Sequence, residues 1–470
     1  MALIYDVDFN SGTRVLSLLD KAGNVISSCE VPSKEVDDPN KPLMLRAIED
    51  NSSVTLTKNG TLSNTYQTST NGTDWTDYTF GTKISLNKGE SVYFRCSNHP
   101  TTQSNINYVQ FVMTGKIKAW HNAYSMISSS FTSTGASVGE YGMVRLFKNC
   151  TSLTKAPLLV NALSDYCYQS MFEGCSALTQ APVLPATHLA QYCYAWMFYG
   201  CSALTQAPLL PATTLTNQCY AYMFYGCESL TRAPELSATT LADYCCAYMF
   251  SGCSALTQAP ELPATTLAKS CYSYMFSKCT SLTQAPELSA TTLEEGCYKG
   301  MFEGCSALTQ APVLSATHLA ESCYQGMFSK CTSLTQAPEL PVTTLAKSCY
   351  IEMFEGCSAL TQAPELPATT LSLYCYLSMF YGCSALTQAP PLPAKTLTNQ
   401  CYQSMFGGCQ SLKEVRISAT RTATNSLKEW LHNVSATGDF YCNPNATIFP
   451  TGTSGIPENW RRLNIADYPN

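Results

Sequence analysis

Through the middle of the chain, apolar and polar positions alternate with two different spacings. Leu241, Cys245, Met249 and Cys253 fall four apart, with Phe250 beside the third. That spacing predicts a short helix carrying one apolar stripe, with Thr239 or Thr240 as N-cap. Gly252 stands where a helix closes in a left-handed turn; Lys278 and Lys330 take that place in two copies, at a mild conformational cost. Cys253, Leu256, Ala259 and Leu262 then fall three apart, which predicts a short, corner-turning strand. Pro260 lacks an N–H and interrupts it. The unit is therefore expected to run helix, turn, short strand, return.

This pattern repeats. Met-Phe begins at Met171, Met197, Met223, Met249, Met275, Met301, Met327, Met353, Met379 and Met405, always 26 residues apart. Such a period marks a solenoid, in which each unit buries its apolar face only against its neighbours. The fold class expected is an α+β repeat solenoid of about ten 26-residue coils, preceded by a small β-sandwich. At about 5 Å per coil the array would form a rod near 50 Å long.

Outside the array the pattern changes. Residues 41–117 hold alternating segments such as SVTLTKNGTL, KISLNKGESVYFRC and YVQFVMTGKI, separated by Asn-Gly and Lys-Gly turns, which read as the sandwich. Residues 1–40 offer a hairpin, VLSLLDKAGNVISSCEV, turning at Ala22-Gly23-Asn24, then an acidic linker; an attachment role is assigned to this segment. Residues 118–149 lead into the solenoid at 150–409. Residues 410–470 place Trp430, Phe440 and Trp460 in a cap over the last open face.

Composition narrows the function classes. Only 13% of the 470 residues are charged, against 45% apolar, too few charges for a disordered chain. The net charge of −6 with no basic run argues against a nucleic-acid groove. No run of about 20 apolar residues predicts membrane insertion. Asp6 and Asp8 lie where a secretory leader would be basic and then apolar, so the start reads as leaderless. Most of the 25 cysteines follow the repeat, at Cys167 and every 26 residues to Cys401, and at Cys150 and Cys175 to Cys409. Three readings stand: buried unreactive thiols, which the stripe favours; disulfides between coils; and zinc, for which the close CxxC pair is missing. The five histidines form no metal or nucleophile motif, and no phosphate-cradling loop occurs, so neither enzyme nor cofactor is expected.

Positions that vary between copies point to the surface. Just before and just after Met-Phe, the second to fifth copies carry Trp196, Tyr199, Tyr222, Tyr225, Tyr248 and Tyr274. Later copies put Gly300, Glu303, Gly326, Glu352, Glu355 and Ser378 there, with Tyr381 the exception. The aromatic residues are candidates for a patch that receives sugar rings or a protein partner. A column of glutamines, Gln180 to Gln388, is expected to hydrogen-bond through side-chain amides from coil to coil. The acidic column Glu235, Glu261, Glu287, Glu339 and Glu365 reads as a solvated edge.

The consensus MFxGCxxLTxAPxLPATTLAxxCY, kept in register over about residues 145–412, resembles the repeat of BspA-like leucine-rich-repeat proteins of Bacteroides-type bacteria and their phages. The resemblance implies an adhesive or display role and brings no catalytic residue. The reading favoured is a phage virion surface protein, fibre-like or a decoration, joined to other virion proteins through its N-terminal region and holding a host-cell glycan or protein. An exported bacterial cell-surface adhesin and a purely structural capsid decoration are the alternatives. Self-association of the chain is a further partner reading.

Overall fold

The computed structural model describes side chains and backbone for residues 36–98, 103–128 and 137–468, and backbone alone for 4–8, 14–19 and 25–31. It divides into two units, 1–38 and 39–470. In the first, strands β1 (Ile4–Asp8), β2 (Arg14–Leu19) and β3 (Val25–Val31) form an antiparallel sheet in that order. β2 and β3 pair as a hairpin would, while the turn expected at Ala22-Gly23-Asn24 lies outside the described residues.

The second unit opens with eight strands: β4 (Leu43–Ala47), β5 (Ser52–Asn59), β6 (Tyr66–Ser69), β7 (Thr76–Tyr78), β8 (Ile84–Leu86), β9 (Ser91–Cys96), β10 (Tyr108–Thr114) and β11 (Ile117–Trp120). Alternation drives them: in β9, Val92, Phe94 and Cys96 are buried and the residues between are not. One sheet has the order β10-β5-β8. The other, of six strands, runs β12-β11-β4-β9-β6-β7, where β12 (Leu153–Lys155) belongs to the first coil of the array and pairs parallel to β11. Phe94 and Phe111, one from each sheet, meet edge-to-face at 5.0 Å.

The array contains no α-helix among the described residues, which corrects the expected helix at Leu241–Cys253 and with it the helical part of the α+β assignment. That segment is a ribbon of consecutive turns. Every fourth residue is left-handed: Tyr244 (φ 56°), Tyr248 (φ 56°) and Gly252 (φ 76°) in this coil, and Tyr166, Ser170 and Gly174 in an earlier one. Alternate amides close a turn three residues back, as Met171 does to Tyr168. The amides between them reach the next coil: Tyr168, Ser170 and Phe172 donate to the carbonyls of Cys193, Ala195 and Met197. The ribbon thus bonds coil to coil as a strand would, and the four-residue spacing is its own period. A helix advances about 400° in four residues, so three such steps would carry the stripe roughly 120° off its face. Lys278 and Lys330 sit at φ 60°, in the left-handed place that glycine usually fills.

Between β12 in the first coil and the strands of the far end, the return path makes no extended strand among the described residues. Successive coils touch through isolated parallel bridges at the glutamine, leucine and threonine positions, for example Gln258↔Gln284, Leu210↔Leu236 and Thr214↔Thr240. Pro260 and its equivalents account for the interruption. The glutamine column is therefore joined by backbone bridges while its side chains face solvent. The acidic column is exposed at all five positions.

Between ribbon and return path lies a stacked core. Phenylalanines from Phe147 to Phe406 lie face to face, with centroids 5.5 to 5.8 Å apart from coil to coil. Phe111 extends the column into the β-sheets. A buried tyrosine column runs beside it from Tyr168 to Tyr402, broken only where Cys246 replaces tyrosine. The cysteines of the second series are buried, and each thiol from Cys175 onward donates to a phenylalanine carbonyl of the preceding coil, as Cys201 does to Phe172 at 3.1 Å. Burial pushes the Cys201 thiol up to about 12, which keeps it protonated and unreactive. Cysteine suits this place because it is small and apolar yet supplies a donor.

At the far end Asn425, Glu429 and Asn433 continue the left-handed rhythm. The strands β13 (Glu414–Arg416), β14 (Gly438–Cys442) and β15 (Trp460–Asn464) form a parallel sheet beside them. Trp430 leans on Phe406 at 6.4 Å and meets Phe440 edge-to-face at 5.9 Å. No helix of the described residues is long and apolar enough to cross a membrane.

Candidate functional site

The ribbon sets which side chains reach its surface. Pairs such as Met197-Phe198 point inward and are fully buried. The left-handed residue before the pair, and the residue after it, are half-buried where they are Trp196, Tyr199, Tyr222, Tyr225, Tyr248 and Tyr274, while small residues there, such as Ser170, Ser251 and Ser277, are buried. Trp196, Tyr222, Tyr248 and Tyr274 are those left-handed residues, with φ between 54° and 56°. Coil stacking places them one over the next: Trp196 on Tyr222 at 5.2 Å, Tyr222 on Tyr248 at 4.6 Å, Tyr248 on Tyr274 at 4.6 Å. Tyr199 and Tyr225 form a second, shorter stack at 4.7 Å and 2°. Tyr222 and Tyr225, 6.0 Å apart and tilted, join the two. All six residues singled out in the sequence thus share one aromatic surface.

The stacking changes what that surface offers. Rings that lie on each other use their faces for each other, so between the ends of a stack only ring edges and hydroxyls point outward. A flat platform on which sugar rings lie face-down is therefore not formed. The long stack ends against Gly300: a Cβ built there would lie 2.2 Å from the Tyr274 ring, so the glycine's bare backbone is what lets the ring settle over it.

A third stack escaped the sequence reading. Tyr141, Tyr166 and Tyr192 lie at 4.5 and 4.6 Å, and the Tyr192 hydroxyl accepts from the Gln218 amide. They occupy the left-handed place four residues before the Trp196 position, and a comparison of that column between copies would have revealed them. The same column continues through Gln218 and Tyr244 to Ser270 and Gly296. Between it and the Tyr222–Tyr248–Tyr274 stack runs a groove of about 410 Å³, floored by Ala221, Ala247 and Ser273. Lys269 pairs with Glu295 at 2.9 Å beside it.

Electrostatics differ at the end of the stack. Burial raises the Tyr274 hydroxyl above its ordinary value, and Glu303 and Glu352 add to this. Burial, then repulsion from Glu355 and Glu303, raises the Glu352 carboxyl above its usual range, with Lys330 and Lys299 opposing. A carboxyl whose pKa is higher folded than unfolded destabilises the fold while ionised, and that penalty vanishes as pH falls through the folded value. Glu352→Gln is therefore expected to melt above the wild type at pH 7, with the difference gone below the ordinary carboxyl value of 4.5. Equal melting temperatures at pH 7 would remove this account. Among the described residues, no group of three or more His, Cys, Asp or Glu is placed to hold a metal.

The repeat geometry can be set beside known proteins. Residues 115–257, 217–361 and 299–430 match the model of the BspA type leucine rich repeat region, in six copies. These matches together cover more than half of the chain. The chain belongs to this family. No curated protein and no solved structure matches it. As a BspA-type repeat protein it carries a scaffold suited to surface adhesion or protein interaction, and such scaffolds are typically non-catalytic.

Proposed function

We propose that this BspA-type protein is a non-catalytic adhesion module on the surface of a phage virion, holding the host cell through the ring stacks of its ribbon. The observation that carries the adhesive part is the clustering of aromatic residues. Rings fill the outer left-handed place in four successive coils, whereas glycine, glutamate and serine fill it afterwards. The backbone is the same in all of them, so the fold itself does not require rings there. Several coils presenting similar groups add weak contacts into useful affinity. The N-terminal unit is the natural candidate for docking to other virion proteins.

The virion setting, rather than an exported adhesin, is supported by the thiols. Every cysteine with a described side chain is free and buried, in number enough for many bridges. Free thiols in such density suit a chain that folds in a reducing cytoplasm, where virions assemble.

Replacing Trp196, Tyr199, Tyr222 and Tyr225 together by Ala is expected to leave the array folded, because Ser170, Ser378 and Ser404 hold the same place as Trp196 elsewhere. Binding to Bacteroides-type cells should fall about tenfold or more, the sum of several contacts of roughly 0.5 kcal/mol each. Undiminished cell binding by a folded variant would refute the adhesive surface. Detection of the chain on purified particles, rather than in bacterial envelope fractions, tests the setting.

A further inference from the structure

We propose that the groove beside the Tyr222–Tyr248–Tyr274 stack holds a linear, uncharged polysaccharide lying along the solenoid axis; the proposal rests on the adhesive reading and names its ligand. The floor carries the first argument. Its position is small, Ala221, Ala247 and Ser273, in the coils that carry the rings, and becomes Lys299, Gln325, Ile351 and Leu377 in the coils that lack them. The depression thus runs along the stretch that has an aromatic wall and ends at Gly296, Lys299 and Ser322 of the following coils.

The walls say what fits. Because each ring covers the next, the groove meets ring edges and the hydroxyls of Tyr222, Tyr248 and Tyr274, with Ser270 opposite. Hydroxyls both donate and accept, and ring edges tolerate C–H surface, which together match a sugar's alternating polar and apolar rim. Glu295 pairs with Lys269, and Lys299 stands at the far end, so the stretch walled by Tyr222, Tyr248 and Tyr274 carries no charged lining residue to select an ionic ligand.

A peptide strand is disfavoured by the backbone. Strand addition needs free main-chain donors along an edge. Here the amides of Tyr244, Cys246 and Tyr248 reach the next coil, and those of Cys245 and Ala247 close turns. Recognition is left to side chains. Those side chains recur once per coil, so the matching ligand is a polymer of repeating units, gaining affinity with length until the groove is filled.

The test uses the full chain and purified neutral polysaccharides, β-glucan, mannan, xylan and galactan, each with its oligosaccharides of two to eight units. Ala247→Gln and Ser273→Gln fill the floor with a side chain that Gln325 and Gln403 show the same position to accept. The expected result is binding that strengthens with oligosaccharide length and falls about tenfold in either filled variant. Tyr222→Phe, Tyr248→Phe and Tyr274→Phe combined keeps the stack but removes hydroxyls, and should weaken binding at least about fivefold. Absence of binding to every glycan in the set overturns the proposal. So does cell binding that survives periodate oxidation of the cells but not protease treatment, which makes the ligand a protein. If the filled variants still hold cells while the four-alanine variant does not, the groove is wrong and the adhesive surface stands.

Discussion

Phe302→Ala is expected to lower the stability of the array by about 3–5 kcal/mol, the usual range for truncating a fully buried aromatic ring. Phe302 is wholly buried and lies between Phe276 at 5.8 Å and Phe328 at 5.7 Å, nearly parallel to both. Its loss removes two stacking partners at once and opens a void midway along the column. The backbone cannot close that void, because the ribbon fixes the coil spacing: Phe302 donates to Met327, and its carbonyl accepts from Cys305 and from the Cys331 thiol. Urea unfolding followed by circular dichroism measures the loss. A change under about 1 kcal/mol would mean that the coils repack freely, contrary to the shared core described above.

Trp430→Ala should be as costly in energy but different in kind. The indole is fully buried, donates to the Gly455 carbonyl at 3.1 Å, and stands between Phe406 and Phe440. Truncation removes ring burial and leaves a buried carbonyl without that partner, again about 3–5 kcal/mol. Since each unit of a solenoid leans only on its neighbours, the loss falls on the cap. Hydrogen exchange should accelerate in 438–442 and 460–464 while the coils from Cys167 to Phe380 keep their protection. The uncovered end face, led by Phe406, should then drive concentration-dependent association, visible by light scattering. A variant that melts and stays monomeric like the wild type would show that the cap is not what shields the last coil.

Much of this was legible in the residues. The period, the inward stripe of Cys, Met and Phe, and the family resemblance followed from repetition alone, because a 26-residue recurrence leaves few arrangements. The helix was misread for a definite reason. Spacings of three and four define helical patterns, and a ribbon of turns with two residues in and two out has a period of four. Over single four-residue steps the two periods differ by only about 40°, although across Leu241–Cys253 the drift reaches about 120°. The exact multiple of four was the available signal, together with Gly252 recurring at its end. Left-handed tyrosines were not foreseeable, since tyrosine has no preference for positive φ. At the candidate site, variation picked out Trp196, Tyr199, Tyr222, Tyr225, Tyr248 and Tyr274, but only the coil spacing reveals that they stack. The column of Tyr141, Tyr166 and Tyr192 and the small floor of the groove lie at positions other than those flanking Met-Phe, and only the stacking of coils brings them together.

The ribbon also makes every seam in the array interchangeable. Each inward-to-outward rhythm is joined to the next by the same amides and carbonyls, whichever side chains ride outside. A cassette of 26 residues excised anywhere between Cys193 and Cys375 would let the severed ends meet in register, with phenylalanine again over phenylalanine. Cassettes bearing rings lengthen the receiving tract and cassettes bearing glycine or glutamate end it. The reach of the grip is therefore a matter of how many cassettes the chain carries, adjustable in whole steps without redesigning a single joint.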